Sequence, residues 1–202
     1  MDKMIFRTIV SKEETDSFLD KVENYSGVRL PHNYAKNGKI IGVFLHNKLV
    51  AGYMLVTNSS FRSLLFVPDE QKKSHDFFSK DKFEMMEING LWIGPAIKTP
   101  AMQFKIWLKL ILDIFLARKN YLLLMSNVRN KNIEYLHSFV DPETLYVGSP
   151  NLMPGENSHA KIRVAYTTRW KVILSIPKSI LELKRRKQRA IRAEKQRELV
   201  RV

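Results

Sequence analysis

Residues 99–126 constrain this fold more than any other stretch of the chain. Thr99-Pro100 has the pattern of a helix start, a hydroxyl N-cap followed by proline at the first helical position, where a missing N–H costs nothing. From Ala101 to Ala117 the only charges are Lys105, Lys109 and Asp113, four apart and therefore on one narrow face of a helix. Nearly all the rest of that helix is expected to be buried. Asn120 fits its C-terminal end. Residues 121–126 follow at once, Tyr-Leu-Leu-Leu-Met-Ser, short and apolar on both faces. A strand with no polar face belongs inside a sheet that is covered on both sides. The apolar run is shorter than the ~20 residues of a membrane span and is broken by its charges, so no transmembrane segment is expected.

The flanking sequence supplies the rest of an α/β architecture. Residues 4–10 are β-rich, and Ser11 with Glu14 three residues on marks a helix start. Phe18, Leu19 and Val22 give that helix its apolar stripe, and Ser26-Gly27 ends it. Residues 39–45 and 49–57 read as a hairpin about the turn His46-Asn47-Lys48. Residues 58–82 are an irregular insertion, with a short helix expected near 70–78; a connection of that length is expected to act as a lid. Residues 83–93 form a further strand ended by Gly94-Pro95, which puts Glu84 and Glu87 on opposite faces. Residues 130–140 look helical and stop before Asp141-Pro142. Residues 145–148 suit a short strand, 149–159 a loop, and 160–176 a long β-rich run. Pro177 closes a domain of residues 1–177, and residues 178–202 form a helical tail by propensity.

Composition excludes several chemistries. The chain has no cysteine, which removes disulfides, thiolate metal sites and a cysteine nucleophile, and favours a reducing compartment. The N-terminus lacks the apolar core of a signal peptide, so a cytoplasmic location is expected. His32, His46, His75, His137 and His159 lack metal-ligand spacing, and no metal site is expected. No serine-nucleophile elbow, phosphate-binding P-loop or dinucleotide fingerprint is present. The net charge is +14, and from Lys178 to Val202 ten Lys or Arg stand against three Glu. Half of the excess charge thus lies in the tail. This asymmetry points to an anionic partner: an acidic protein, nucleic acid or a membrane surface. As a membrane helix the tail has a thin apolar face and no aromatic anchor.

The element order β-α-β-β-insert-β-α-β-α-β-β-α resembles that of the GNAT superfamily, the acyl-CoA-dependent N-acyltransferases. The hairpin at 40–57, with Leu49-Val50-Ala51-Gly52 opening its second strand, is similar to the family's second and third strands. Glu87-Ile88-Asn89-Gly90-Leu91-Trp92-Ile93-Gly94-Pro95 resembles the fourth strand, and Asn127 followed twelve residues later by Phe139 resembles a later Asn…Phe pattern. The resemblance implies a mixed, mostly antiparallel sheet that splays open at its middle to admit an acyl thioester. It implies transfer of the acyl group from acyl-CoA or acyl carrier protein, used as co-substrate with no tightly bound cofactor, to an amine acceptor. Glu87 matches the position of the family's base and Tyr135 that of the acid toward the leaving thiolate. The amides of Leu91, Trp92 and Ile93 would polarise the carbonyl if the strand bulges there. Lys98, Thr99 and Asn127 would complete the donor site.

The sequence departs from that family at the loop that cradles the coenzyme A pyrophosphate. Residues 95–103 contain no glycine, and Pro100 has no N–H to offer. Family members that make acyl-homoserine lactones or long-chain N-acyl amino acids also diverge there and can take acyl groups from acyl carrier protein, which is acidic. The alternative expectation is a GNAT-like binding module without catalysis, engaging an anionic partner through its tail.

Overall fold

The computed structural model describes residues 3–58, 60–151, 161–182, 184, 185 and 188. Seven strands form one sheet: β1 (Ile5–Thr8), β2 (Gly38–Leu45), β3 (Lys48–Val56), β4 (Met85–Ile93), β5 (Tyr121–Asn127), β6 (Glu143–Gly148) and β7 (Ile162–Thr168), in the order β1-β2-β3-β4-β5-β7-β6. Every pair is antiparallel except β4–β5. The expected hairpin is β2–β3, and its turn residues His46 and Asn47 both have positive φ, as a tight two-residue turn matched to the strand twist requires.

Helices cover both faces. On one lie α1 (Lys12–Ser26) and α2 (His32–Lys36). Ser11 caps α1 by accepting the Glu14 N–H at 3.2 Å. The Glu14 carboxylate does not close the capping box; it pairs with both terminal nitrogens of Arg7 on β1. Gly27, at φ 71, ends the helix with its N–H on the Glu23 carbonyl at 2.8 Å. Phe18, Leu19 and Val22 are buried in the core of this face.

The insertion packs on the same face. It forms α3 (Arg62–Leu65), α4 (Asp69–Lys73) and two single turns, Asp76–Ser79 and Lys82–Glu84. Phe61, Phe66, Val67 and Phe77 are all buried, and Phe77 stacks on Tyr166 at 4.1 Å and meets Tyr121 edge-on at 5.6 Å. These residues make the insertion a fixed roof over β5 and β7, built into the core. Glu84 lies in the turn before β4, where its carboxylate accepts from the Asn120 amide, so strand alternation does not govern its direction.

The opposite face carries α5 (Pro100–Leu116), α6 (Lys131–His137) and α7 (Arg169–Leu174). Thr99 caps α5 as expected. Two details differ from the sequence reading. Asp113 turns inward, buried, and takes the Tyr53 O–H at 2.6 Å and the Lys109 ammonium at 2.5 Å. Leu112, Phe115 and Leu116 remain exposed, because one helix can bury only the stripe that meets the sheet. The long β-rich run also divides: β7 stops at Thr168, whose hydroxyl accepts the Lys171 N–H and starts α7. Capping chemistry overrides the β-branched composition there. The backbone is helical on both sides of Pro177, and the tail beyond residue 188 lies outside the described residues.

Phe77→Ala is predicted to cost about 3–5 kcal/mol in equilibrium denaturation. Phe83→Ala, at a side chain 76% exposed, is predicted to change stability by less than about 0.5 kcal/mol. A mobile lid would show the small effect at both positions.

Candidate active site

β4 and β5 pair in parallel through three positions only, Met85 with Tyr121, Met86 with Leu122 and Glu87 with Leu123. Beyond Glu87 the two strands part. β4 continues to Ile93 along β3, and β5 continues to Asn127 along β7. Glu87 therefore stands at the apex of a fork in the sheet.

Just past the apex, β4 bulges. Its partners run from Gly52–Trp92 to Met54–Asn89, so three steps on β4 face two on β3. Gly90 has φ +58, and a Cβ there would lie 2.9 Å from Val22 and 3.0 Å from Phe18 on α1. Only glycine suits both the backbone and the space. The bulge expected among Leu91–Ile93 thus begins at Gly90. Leu91 is exposed, Trp92 is buried and stacks on Tyr25 of α1 at 5.3 Å, and Ile93 pairs with Ala51.

Glu87 is 2% exposed, yet a buried carboxylate needs donors. It has two. The Ser63 backbone N–H donates to Oε1 at 2.9 Å, and the Tyr34 hydroxyl donates to Oε2 at 2.9 Å. The Asn89 amide in turn donates to the Tyr34 oxygen at 2.7 Å. The first link ties the roof to β4, and the second ties α2 to β4. Burial, then the charge of Glu87 and its hydrogen bond, push the Tyr34 hydroxyl far above its ordinary range, while the backbone and guanidinium of neighbouring Arg62 pull the other way. Tyr34 stays protonated and acts as a donor. Ser63 Oγ, also buried here, has no partner among the described residues.

The other wall of the fork carries a second polar cluster, on the α5 face. Buried Ser126 of β5 donates to Glu134 of α6, and the Arg163 guanidinium on β7 donates to the same carboxylate at 2.9 Å and to Thr144 Oγ1 at 2.9 Å. His137, expected at a surface, lies half-buried at the end of α6. Burial pushes its imidazole down to about 4; Glu134 opposes this and Arg163 reinforces it. Tyr135 is exposed on α6, with its ring edge-on to Phe139 at 4.9 Å. Glu87 thus lies on the α1 face of the sheet, and Tyr135 belongs to α6 on the opposite face. Asn127 ends β5 in a turn, its carbonyl accepting from Asn130 N–H at 2.8 Å and its side chain from Arg129 N–H at 3.0 Å.

The start of α5 is largely occupied by its own chain. Pro100 has no N–H, Met102 N–H is held by Thr99 Oγ1 at 3.2 Å, and Gln103 N–H is held by the Thr99 carbonyl at 3.1 Å. Ala101 is the first-turn amide left over, and Lys98 is exposed beside it. No group of three or more His, Cys, Asp or Glu among the described residues is placed to hold a metal ion.

No protein-family model matches the sequence, and no curated protein matches it. Solved structures do. FeeM, an N-acyl amino acid synthase from uncultured soil microbes, superposes with a TM-score of 0.61 over 85% of this chain and 94% of its own, at 10% identity. The ribosomal-protein-S18-alanine N-acetyltransferase of Escherichia coli gives 0.55 over 82% and 94%, at 7% identity. A Bacillus subtilis acetyltransferase in complex with CoA gives 0.50 over 82% and 99%, at 8% identity. The chain has the GNAT fold. The mixed sheet with its single parallel pair is the architecture that the sequence resemblance implied, and the GNAT fork is the gap between β4 and β5. Tyr34, Ser63 and Asn89, which the sequence reasoning did not single out, surround the Glu87 carboxylate; Asn89, two residues from Glu87 and so on the same face of β4, was the one legible signal.

The depressed imidazole gives this chain an acid-sensitive element. Unfolded histidine titrates near 6.5, so His137 costs nothing above that pH. As pH falls from 6.5 toward 4 the unfolded chain takes up the proton first, and stability drops by roughly 2–3 kcal/mol. Denaturant titrations at pH 7 and 4.5 are predicted to show a smaller loss, by about that amount, in His137→Gln than in the native chain.

Proposed function

We propose that the protein is an N-acyltransferase that moves an acyl group from a thioester to an amine. The observation that carries this reading is the fork, with a buried carboxylate at its apex and a bulge immediately beyond. A linear acyl thioester entering between β4 and β5 brings its carbonyl alongside the bulge, where backbone amides of Leu91–Ile93 can hydrogen-bond the oxygen as negative charge develops. The amine attacks the carbonyl carbon, the C–S bond breaks, and the amine proton passes to Glu87, directly or through one water. The departing thiolate takes its proton from Tyr135.

Two features refine the donor and the acceptor. With most of the first-turn amides of α5 engaged by Thr99, a pyrophosphate finds Ala101 N–H and the Lys98 ammonium and little more. This favours a thioester carried on acidic acyl carrier protein over free acyl-CoA, and the +14 charge of the chain suits an acidic donor. The likeness to an N-acyl amino acid synthase supports an amino acid as the amine. No helix among the described residues is long and apolar enough to cross a membrane.

A second reading is a GNAT-like binding module without catalysis, reaching an anionic partner through residues 178–202. It is favoured by one observation: both oxygens of Glu87 already hold a donor, which is what a purely structural carboxylate would show. Amine acylation assayed with acyl-CoA and with acyl carrier protein donors separates the two. Glu87→Gln is predicted to lower turnover by roughly 10²–10⁴-fold while thermal stabilisation by the donor persists. Turnover equal to the native chain would remove Glu87 from the role of base, and no turnover or stabilisation by either donor would favour the binding module.

A further inference from the structure

In its last turns the exposed side of α5 is apolar where a solvated helix would be polar. Leu112, Phe115 and Leu116 project from its last turns, and Leu116 is 69% exposed. α7 adds Trp170, 58% exposed, and Leu174, 72% exposed, four residues apart on one side of the helix. The patch is continuous: Phe115 and Trp170 meet edge-on at 5.9 Å. Leu116 and Leu174, more than two-thirds exposed, stand out furthest from the surface.

Cations surround the patch. The Arg169 guanidinium lies 5.6 Å from the Phe115 ring centre and 5.5 Å from that of Trp170. Arg118 is exposed at the end of α5, and Lys119 next to it donates to the Phe83 carbonyl at 2.7 Å, which brings the exposed Phe83 ring to the same end of the molecule. Acids near these helices are paired: Asp113 with Tyr53 and Lys109, Glu84 with Asn120, and exposed Asp141 with Lys171 of α7 at 2.9 Å. The helical backbone resumes after Ser175, places Lys178, Ile180 and Leu181 at the surface, and leads into the segment that carries half of the net charge.

Projecting aromatic and leucine side chains within a ring of Arg and Lys match the two-layer chemistry of a lipid interface, with an apolar boundary beneath anionic headgroups. A rigid protein partner would need a cavity for each projecting side chain, whereas a bilayer accepts them without one. We propose that this face docks on an anionic phospholipid surface. Phe115, Leu116, Trp170 and Leu174 enter the headgroup–acyl boundary, and Arg118, Arg169 and Lys178 neutralise the headgroups. The body of the protein thereby supplies the aromatic anchor that the tail lacks.

Vesicle co-sedimentation of the full chain tests this, using phosphatidylcholine vesicles with and without phosphatidylglycerol. Binding is expected only with phosphatidylglycerol, weakening with salt, and accompanied by a blue shift of tryptophan emission. Trp170→Ser combined with Leu174→Ser, both at exposed positions, is expected to weaken that binding by at least roughly tenfold while the thermal midpoint stays near that of the native chain. Three results would overturn the proposal: no binding to the anionic vesicles, binding that the double variant leaves unchanged, or a dimer in solution that the double variant dissociates while vesicles remain unbound.

Discussion

The parallel pairing of β4 with β5 ends at Glu87, and the rest of the site depends on that ending. Two strands that separate inside a sheet leave backbone groups without sheet partners, so the chain around the gap must be fixed by other contacts. The Glu87 carboxylate supplies two of these at the point of separation, accepting from the roof at Ser63 and from α2 at Tyr34. A single buried carboxylate thus ties three pieces of chain together at the fork. The bulge at Gly90 then turns β4 away from β5 and presses it against α1, where no side chain fits.

The same geometry makes Glu87 ambiguous as a base and informative as a constraint. A buried carboxylate is costly without donors, and both Glu87 oxygens have one. Tyr34 is one of these donors, and its hydroxyl is held protonated by burial and by the charge it faces. A proton arriving at Glu87 would release part of this network and loosen the tie to α2. In the proposed reaction, proton uptake is therefore coupled to the contacts between β4 and α2.

Much of the architecture was legible in the sequence because it rests on local rules. Thr99-Pro100 and Ser11 mark helix starts by capping chemistry, and both are found as caps. The apolar run after Asn120 reads as an interior strand because no polar face remains, and β5 lies between β4 and β7. Glu87 was visible as a charge where a strand should be apolar. What escaped depends on contacts between distant residues. Tyr34 lies on a five-residue helix with no periodic signal, 53 positions before the carboxylate it serves. The insertion reads as an irregular lid because its aromatics have no regular spacing, yet Phe77 is held by Tyr121 and Tyr166 from two strands far along the chain. Asp113 appears polar by its spacing with Lys109 and turns inward because Tyr53 waits beneath it. The end of β7 was missed because Thr168 favours a strand by its side chain and starts a helix by its hydroxyl.

In the proposed reaction the acyl thioester occupies the gap beyond Glu87. A crystal structure with a non-hydrolysable acyl-thioether analogue of a phosphopantetheine donor is the decisive experiment. Ligand density is expected between β4 and β5, with the carbonyl oxygen within hydrogen-bond distance of a backbone amide among Leu91–Ile93. Density for the acyl chain elsewhere, or a closed fork with the analogue bound outside it, would refute thioester entry between the strands.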